Sequence, residues 1–382
     1  MFFVHPQIKF NIENLKLVFY SFLKSPDLET LNKKLSFYFP DKTLVFTDMG
    51  RSAFRLIIER FNLQNSQIIL PAYICDIFFP IFKQYNISPI FLDIEKDTFN
   101  LNSNLLLDKI NPEVKSILVS HTYGLPLDIK KIKEIAGKEV LVIEDCAHSF
   151  GAKINEAFVG NFGDASLFSL YKSFPSLRGG MAVLPKNEES SLPKTNFNFR
   201  DFISLLNSCS SFAYFFKKYG NEISPKFLRK EKLDNPSQLN RVSLNLFLNF
   251  FNGFEKNLDN RIQLALLFKE ELRKLGFKVQ DSRNNVFTYL SALVPESINR
   301  DKLVKELKKH NIFCTRIWHT PIVLNPKIQK EYNLNLTEFP NTINAAKRII
   351  NFPLQNFYTE KDIRKIVSAL DKSIHSMVYY KQ

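Results

Sequence analysis

The sequence predicts an α/β fold: a large domain built on a mostly parallel sheet with helices on both faces, followed by a smaller C-terminal α/β domain. Three observations carry this. From Gln67 to Pro185 short apolar runs of strand character alternate with segments of helical periodicity, the pattern of a parallel sheet covered on both faces. Polar residues gather at the carboxyl ends of those runs, the edge at which open α/β sheets bind ligands. Beyond a long helical segment from about Glu255 to Leu275, a shorter strand-and-helix pattern begins again.

The expected strands are QIILPA (67–72), SPIFLDI (88–94), VKSILVSHTYG (114–124), EVLVIEDCA (139–147), DASLFSL (164–170) and GGMAVLP (179–185). Helices are expected over Arg51–Phe61, Asp76–Gln84 and Asp128–Ala136, the last opened by an aspartate suited to capping. From about 192 to 250 the pattern changes to long Phe-rich and Lys-rich helical stretches, including DFISLLNSCSSFAYFFKKYG (201–220). Packing against the body of the protein or a partner subunit explains that segment better than contact with a membrane surface. In the tail, strands over 285–294 and 312–318 and helices over 300–311, 341–350 and 359–373 form the smaller unit. The chain thus divides into an N-terminal segment 1–45, a large domain 46–250 with the divergent stretch 192–250, and a small domain 251–382.

At 382 residues, 45% hydrophobic and 24% charged, the chain can bury a large core and leaves no extended tract for disorder. Its 38 Phe accompany an excess of Ile, Lys and Asn, which reads as genomic composition rather than function. A formal charge of +14 suits an anionic partner such as a nucleotide, a phosphorylated cofactor or an acidic membrane surface, without choosing among them. No zinc-finger, RNA-binding or helix-turn-helix signature accompanies it, so nucleic acid is not the expected partner. The four cysteines show no C-x-x-C pair, which argues against a disulfide framework or a metal site and for a reducing cytoplasm. No run of about 18 or more apolar residues is present, so no transmembrane segment is expected.

Two segments and a turn carry chemistry. VLVIEDCAHSFGA (140–152) ends a buried strand with two carboxylates, where an uncompensated charge is expensive. Asp145 there suits a cationic ring nitrogen, and His148 follows three residues on. DASLFSLYKSFPSLRGGMAVLP (164–185) places Lys172 on the ligand edge, shortly before Gly179–Gly180. TDMGRSAFRLIIERF (47–61) enters a helix through Gly50, and the first-turn amides with Arg51 and Ser52 make a ready phosphate site. A lysine amine, an acid for a pyridine nitrogen and a phosphate cradle are the three requirements of pyridoxal 5'-phosphate (PLP) chemistry.

In this order, the segments resemble the DegT/StrS-like family of sugar aminotransferases, PLP enzymes of fold type I. PAYICD (71–76), PIFLDIEKDTFNLN (89–102), VSHTYGLPLDI (119–129), EDCAHSFGA (144–152), FSLYKSFPSLRGGMAVL (168–184) and INFPLQNFYTEKDI (350–363) carry the resemblance. It implies a seven-stranded type of sheet, Lys172 as the lysine that holds PLP in a Schiff base, and Asp145 as the pyridine partner. It further implies His148 as a ring-oxygen contact, with Gly50, Arg51, Ser52 and Ser169 around the phosphate and Cys75 beside the ring. The implied reaction moves an amino group from glutamate or a similar donor to a keto group of a nucleotide-linked sugar, in a homodimer. A PLP-dependent sugar dehydratase or other PLP enzyme, and a non-catalytic family member that binds a ligand or partner, are the alternatives. The chain departs from the family in four places: a shortened stretch between Ser169 and Lys172, Ile74 and Cys75 where relatives carry Thr and an aromatic, Arg51 for a small or hydroxyl residue, and a stretch 192–251 without the family's Asn-Tyr-Arg-like segment. The spacing from Lys172 to Gly179 matches.

Overall fold

Seven strands form the central sheet, in the spatial order Lys42–Thr47, Gly180–Pro185, Ala165–Ser169, Leu141–Asp145, Val114–Ser120, Gln67–Pro71 and Ser88–Leu92. The structure is a computed structural model and describes residues 1–9, 11–187, 191–219, 235–281 and 283–379. Within this sheet Gly180–Pro185 is antiparallel to both neighbours, and the pairings from Ala165–Ser169 out to Ser88–Leu92 are parallel. The near-continuous apolar runs follow from burial on two faces. Ile69, Ile117, Val119 and Val142 meet Ile129 and Ile132 on one side. Ile68, Leu70, Leu118 and Ile143 meet Ala53, Phe54, Ile57 and Ile58 on the other.

Six expected strands are present, each trimmed at its ends, and Asp128 caps the helix Ile129–Ala136 by accepting from the Lys131 amide at 3.2 Å. The helix expected over 76–84 opens as a 3-10 turn, Asp76–Phe78, before Phe79–Gln84. Strand Lys42–Thr47 was not expected, and the boundary drawn between residues 45 and 46 falls inside it. All its residues but Thr47 are half-exposed, and its place is set by pairing with Gly180–Pro185, far along the chain.

The divergent stretch supplies helices Phe199–Ser208, Ser210–Tyr219 and Arg241–Phe251; its residues 220–234, including Gly220 of the 201–220 segment, lie outside the described ones. Asp201 accepts from Arg178 Nη2 at 3.0 Å, so the first of these helices is tied to the loop that precedes Gly179. Helix Phe254–Lys274 leads into a three-stranded antiparallel sheet of Lys278–Val279, Leu290–Leu293 and Ile349–Phe352. The strand expected over 312–318 shortens to Ile312–Phe313, which pairs in parallel with Phe2–Phe3 and so holds the N-terminus on the C-terminal unit.

Candidate active site

Gly180 shapes the site. A Cβ there would lie 2.4 Å from the carbonyl carbon and oxygen of Met49 and 2.5 Å from Gly50 N. Only a bare backbone lets the turn before helix Gly50–Arg60 come this close. Gly179 precedes it at φ +133°, in the region that favours glycine. Gly180 pairs with both Thr47 and Ser169, which brings the helix start beside the end of strand Ala165–Ser169. The shortened connection to Lys172 is a single helical turn, Leu170–Ser173, anchored where the Leu170 amide donates to Gly179 O at 2.9 Å.

Asp145 ends its strand 5% exposed. Its Oδ2 accepts from Ser120 Oγ at 3.2 Å and its Oδ1 from the Ala147 amide at 3.0 Å. Burial pushes its carboxyl above the ordinary value, against the pull of the Lys172 charge and of these two donors. Both donors are neutral, and no cation is in ion-pair contact with Asp145 among the described residues. A buried carboxylate so placed fits the cationic ring nitrogen of a pyridine cofactor.

His148 Nε2 lies 3.1 Å from Lys172 Nζ, and its Nδ1 accepts from the Tyr123 amide at 3.3 Å. Burial, then the charges of Lys172 and His5, push this imidazole well below its ordinary value. The neutral ring thus turns Nδ1 to the Tyr123 amide and Nε2 to Lys172. Tyr123 stacks on it at 5.7 Å and Trp318 lies tilted at 4.8 Å, so His148 belongs to an aromatic wall.

Gly50, Arg51, Cys75, Asp145, His148, Ser169 and Lys172 line one cavity of about 240 Å³. Ser52 does not reach it: the residue is 2% exposed and its amide donates to Met49 O at 3.0 Å, inside the helix turn. Burial pushes the Cys75 thiol up, so it is a neutral wall group rather than a thiolate. Sequence reasoning missed His5, Tyr289 and Trp318, which complete the lining from the N-terminus and the C-terminal unit. Trp318, at φ +59° and the chain's one tryptophan, offered a compositional signal; His5 and Tyr289 offered none.

Three polar residues at the expected ligand edge have structural work instead. Asp93 accepts from the amides of Asn341 and Thr342, both at 2.9 Å, and from Thr342 Oγ1 at 2.7 Å, so it caps helix Pro340–Arg348. Glu144 accepts from the amides of Gly160, Phe162 and Gly163 and from His121 Nε2 at 3.0 Å, with both side chains fully buried. His121 Nδ1 accepts from the Leu127 amide at 2.9 Å. Cys146 completes a trio of metal-type donors with His121 and Glu144, but these bonds already engage both imidazole nitrogens and both carboxylate oxygens.

Residues 11–371 match the DegT/DnrJ/EryC1/StrS aminotransferase family. An uncharacterized protein of Methanocaldococcus jannaschii is 27% identical over 75% of this chain and 74% of its own. GDP-perosamine synthase of Escherichia coli is 24% identical over 78% of this chain and 80% of its own. A putative sugar aminotransferase of Streptococcus pneumoniae shares the fold with a TM-score of 0.77 at 16% identity, covering 99% of both chains; its PLP form superposes with a TM-score of 0.76.

Proposed function

The chain belongs to the DegT/DnrJ/EryC1/StrS aminotransferase family, and on that premise we propose that it moves an amino group from glutamate or a similar donor to a keto group of a nucleotide-linked sugar. It is a PLP-dependent aminotransferase. The observation that carries the reading is the convergence of Lys172, Asp145 and the Gly50 helix start on one cavity.

Lys172 is the residue we assign to hold PLP, with Asp145 at the ring nitrogen and the amides of Gly50 and Arg51, the Arg51 side chain and Ser169 at the phosphate. The first-turn amides and the helix dipole suit an anion there. When bound, the cofactor supplies an electron sink at the carbon that bears the transferred nitrogen. Asp145 keeps that sink protonated at its ring nitrogen. Displaced from the cofactor, Lys172 Nζ takes the proton from the donor's α-carbon and returns it on the other side of the nitrogen. His148, fixed by the Tyr123 amide, holds Nζ within reach of that transfer.

The exposed stripe Ile12, Leu15, Phe19 and Leu23 on helix Ile12–Leu23 supports a homodimer. Four free cysteines suit the reducing cytoplasm. No helix among the described residues is long and apolar enough to cross a membrane.

Absorbance tests the assignment. The protein reconstituted with PLP should show the visible band of lysine-bound cofactor, lost in Lys172→Ala and bleached by glutamate in the wild type. Absence of the band in the wild type refutes the proposal; persistence of the band in Lys172→Ala refutes the lysine assignment.

A further inference from the structure

The N-terminal strap crosses from the C-terminal unit to the divergent helices and is pinned along its length. Phe2–Phe3 pairs with Ile312–Phe313, and the Phe3 amide donates to Tyr358 Oη at 2.9 Å. Gln355 Nε2 donates to the carbonyls of Phe3 at 2.7 Å and His5 at 2.8 Å, while its Oε1 accepts from the Gln7 amide at 3.2 Å. The Ile8 amide donates to Ser208 O at 2.7 Å. These bonds fix the backbone of His5 from both sides, and its side chain lines the cavity that contains Lys172 and Asp145.

His5 stands edge-on to Tyr289, ring centroids 5.8 Å apart at 87°, and Tyr289 stands edge-on to His148 on its other side at 5.0 Å and 89°. Tyr289 Oη lies 3.4 Å from His5 Nδ1. The second nitrogen, Nε2, has no hydrogen-bond partner among the described residues. Burial, with the charges of Lys217 and Lys172, pushes the imidazole down to about 4, so the ring is neutral. His5 is partly exposed, and a phenylalanine would fill this aromatic wall equally well without offering a polar atom to the cavity.

We propose that His5 is a substrate-binding residue whose Nε2 hydrogen-bonds a hydroxyl of the acceptor's sugar ring. A neutral imidazole nitrogen is a poor match for a diphosphate, which takes cations, or for an α-carboxylate, which takes a guanidinium. A hydroxyl donates or accepts and so serves either tautomer that Tyr289 leaves. The strap thus makes the N-terminus part of acceptor recognition, on the far side of Tyr289 from His148. The inference rests on the amino-transfer reading above.

The test separates the two half-reactions of the PLP-loaded enzyme by its visible band: bleaching by glutamate, and recovery with GDP-4-keto-6-deoxymannose and dTDP-4-keto-6-deoxyglucose as acceptors. His5→Phe keeps the ring against Tyr289 and removes both nitrogens. It should leave bleaching unchanged and raise the acceptor KM roughly 10- to 100-fold, the cost of leaving a buried hydroxyl unpaired. His5→Gln, which again offers a donor and an acceptor, should recover part of that loss. An unchanged acceptor KM in His5→Phe overturns the proposal, and so does an equal loss in both half-reactions, which would make His5 a packing residue. A wild type that bleaches with glutamate but recovers with neither acceptor overturns the nucleotide-sugar acceptor of the reading above, and this inference with it.

Discussion

Replacing Asp145 by Asn changes one charge and almost no volume, and it should move cofactor affinity and apo stability in opposite directions. The amide oxygen can still accept from the Ala147 amide, now 3.0 Å from Oδ1. What disappears is the negative charge that the proposal assigns to the cofactor's ring nitrogen. Removing one member of a buried ion pair costs about 3–5 kcal/mol, so PLP should bind more than roughly a hundredfold more weakly. Without cofactor the buried carboxylate is an uncompensated charge, and burial raises its pKa. An acid whose folded pKa exceeds its unfolded one destabilises the fold above that window, and the penalty vanishes below the ordinary carboxylate value. Apo Asp145→Asn should therefore melt higher than the wild type at neutral pH, with the gap closing under strongly acidic conditions. Titration of apo protein with PLP, followed by absorbance, and thermal melts against pH measure both effects. An unchanged PLP affinity would refute the assignment of Asp145 to the ring nitrogen.

Gly180→Ala should force the helix start at Gly50 away, because the new Cβ meets Met49 backbone atoms at 2.4 Å. A loss of about 1–3 kcal/mol in urea unfolding is expected, together with weaker PLP binding. Asp93→Ala should cost about 1 kcal/mol by uncapping helix Pro340–Arg348 and leave PLP affinity unchanged, which titration would show. For Glu144, burial alone would raise the carboxyl, but His121 and the amides of Gly163 and Gly160 hold it below its ordinary value. Its stabilising contribution is present above the unfolded carboxylate value and lost as pH falls through the lower folded one. Glu144→Gln should accordingly be less stable at neutral pH, and its melts should depend less on pH in the acid range.

How much of the molecule was readable along the chain depended on how local its causes are. The strands from Gln67 to Pro185 were legible because two-faced burial imposes continuous apolar runs, and Asp128 because capping is a contact within four residues. Lys172, Asp145 and the Gly50 turn were legible because each lies at the end of a strand or the start of a helix. Ser52 lies apart from the other expected residues: a hydroxyl two residues into a helix looks available in sequence, but the residue is 2% exposed and does not line the cavity. Asp93 and Glu144 share their positions at strand ends with Asp145, and only their partners, the helix start at 340–342 and the loop at 160–163, give them structural roles.

The sequence by itself determined the α/β class, the edge of the sheet that carries the site, and the lysine, aspartate and glycine turn that meet there. These follow from periodicity and chain order, which are properties of neighbouring residues. Tertiary structure alone decided the largely half-exposed strand Lys42–Thr47, the helical turn that delivers Lys172, the Tyr123 amide that meets His148 Nδ1, and the wall of His5, Tyr289 and Trp318. Each depends on a contact between segments far apart in the chain, where no local pattern records which partner the folded backbone will bring.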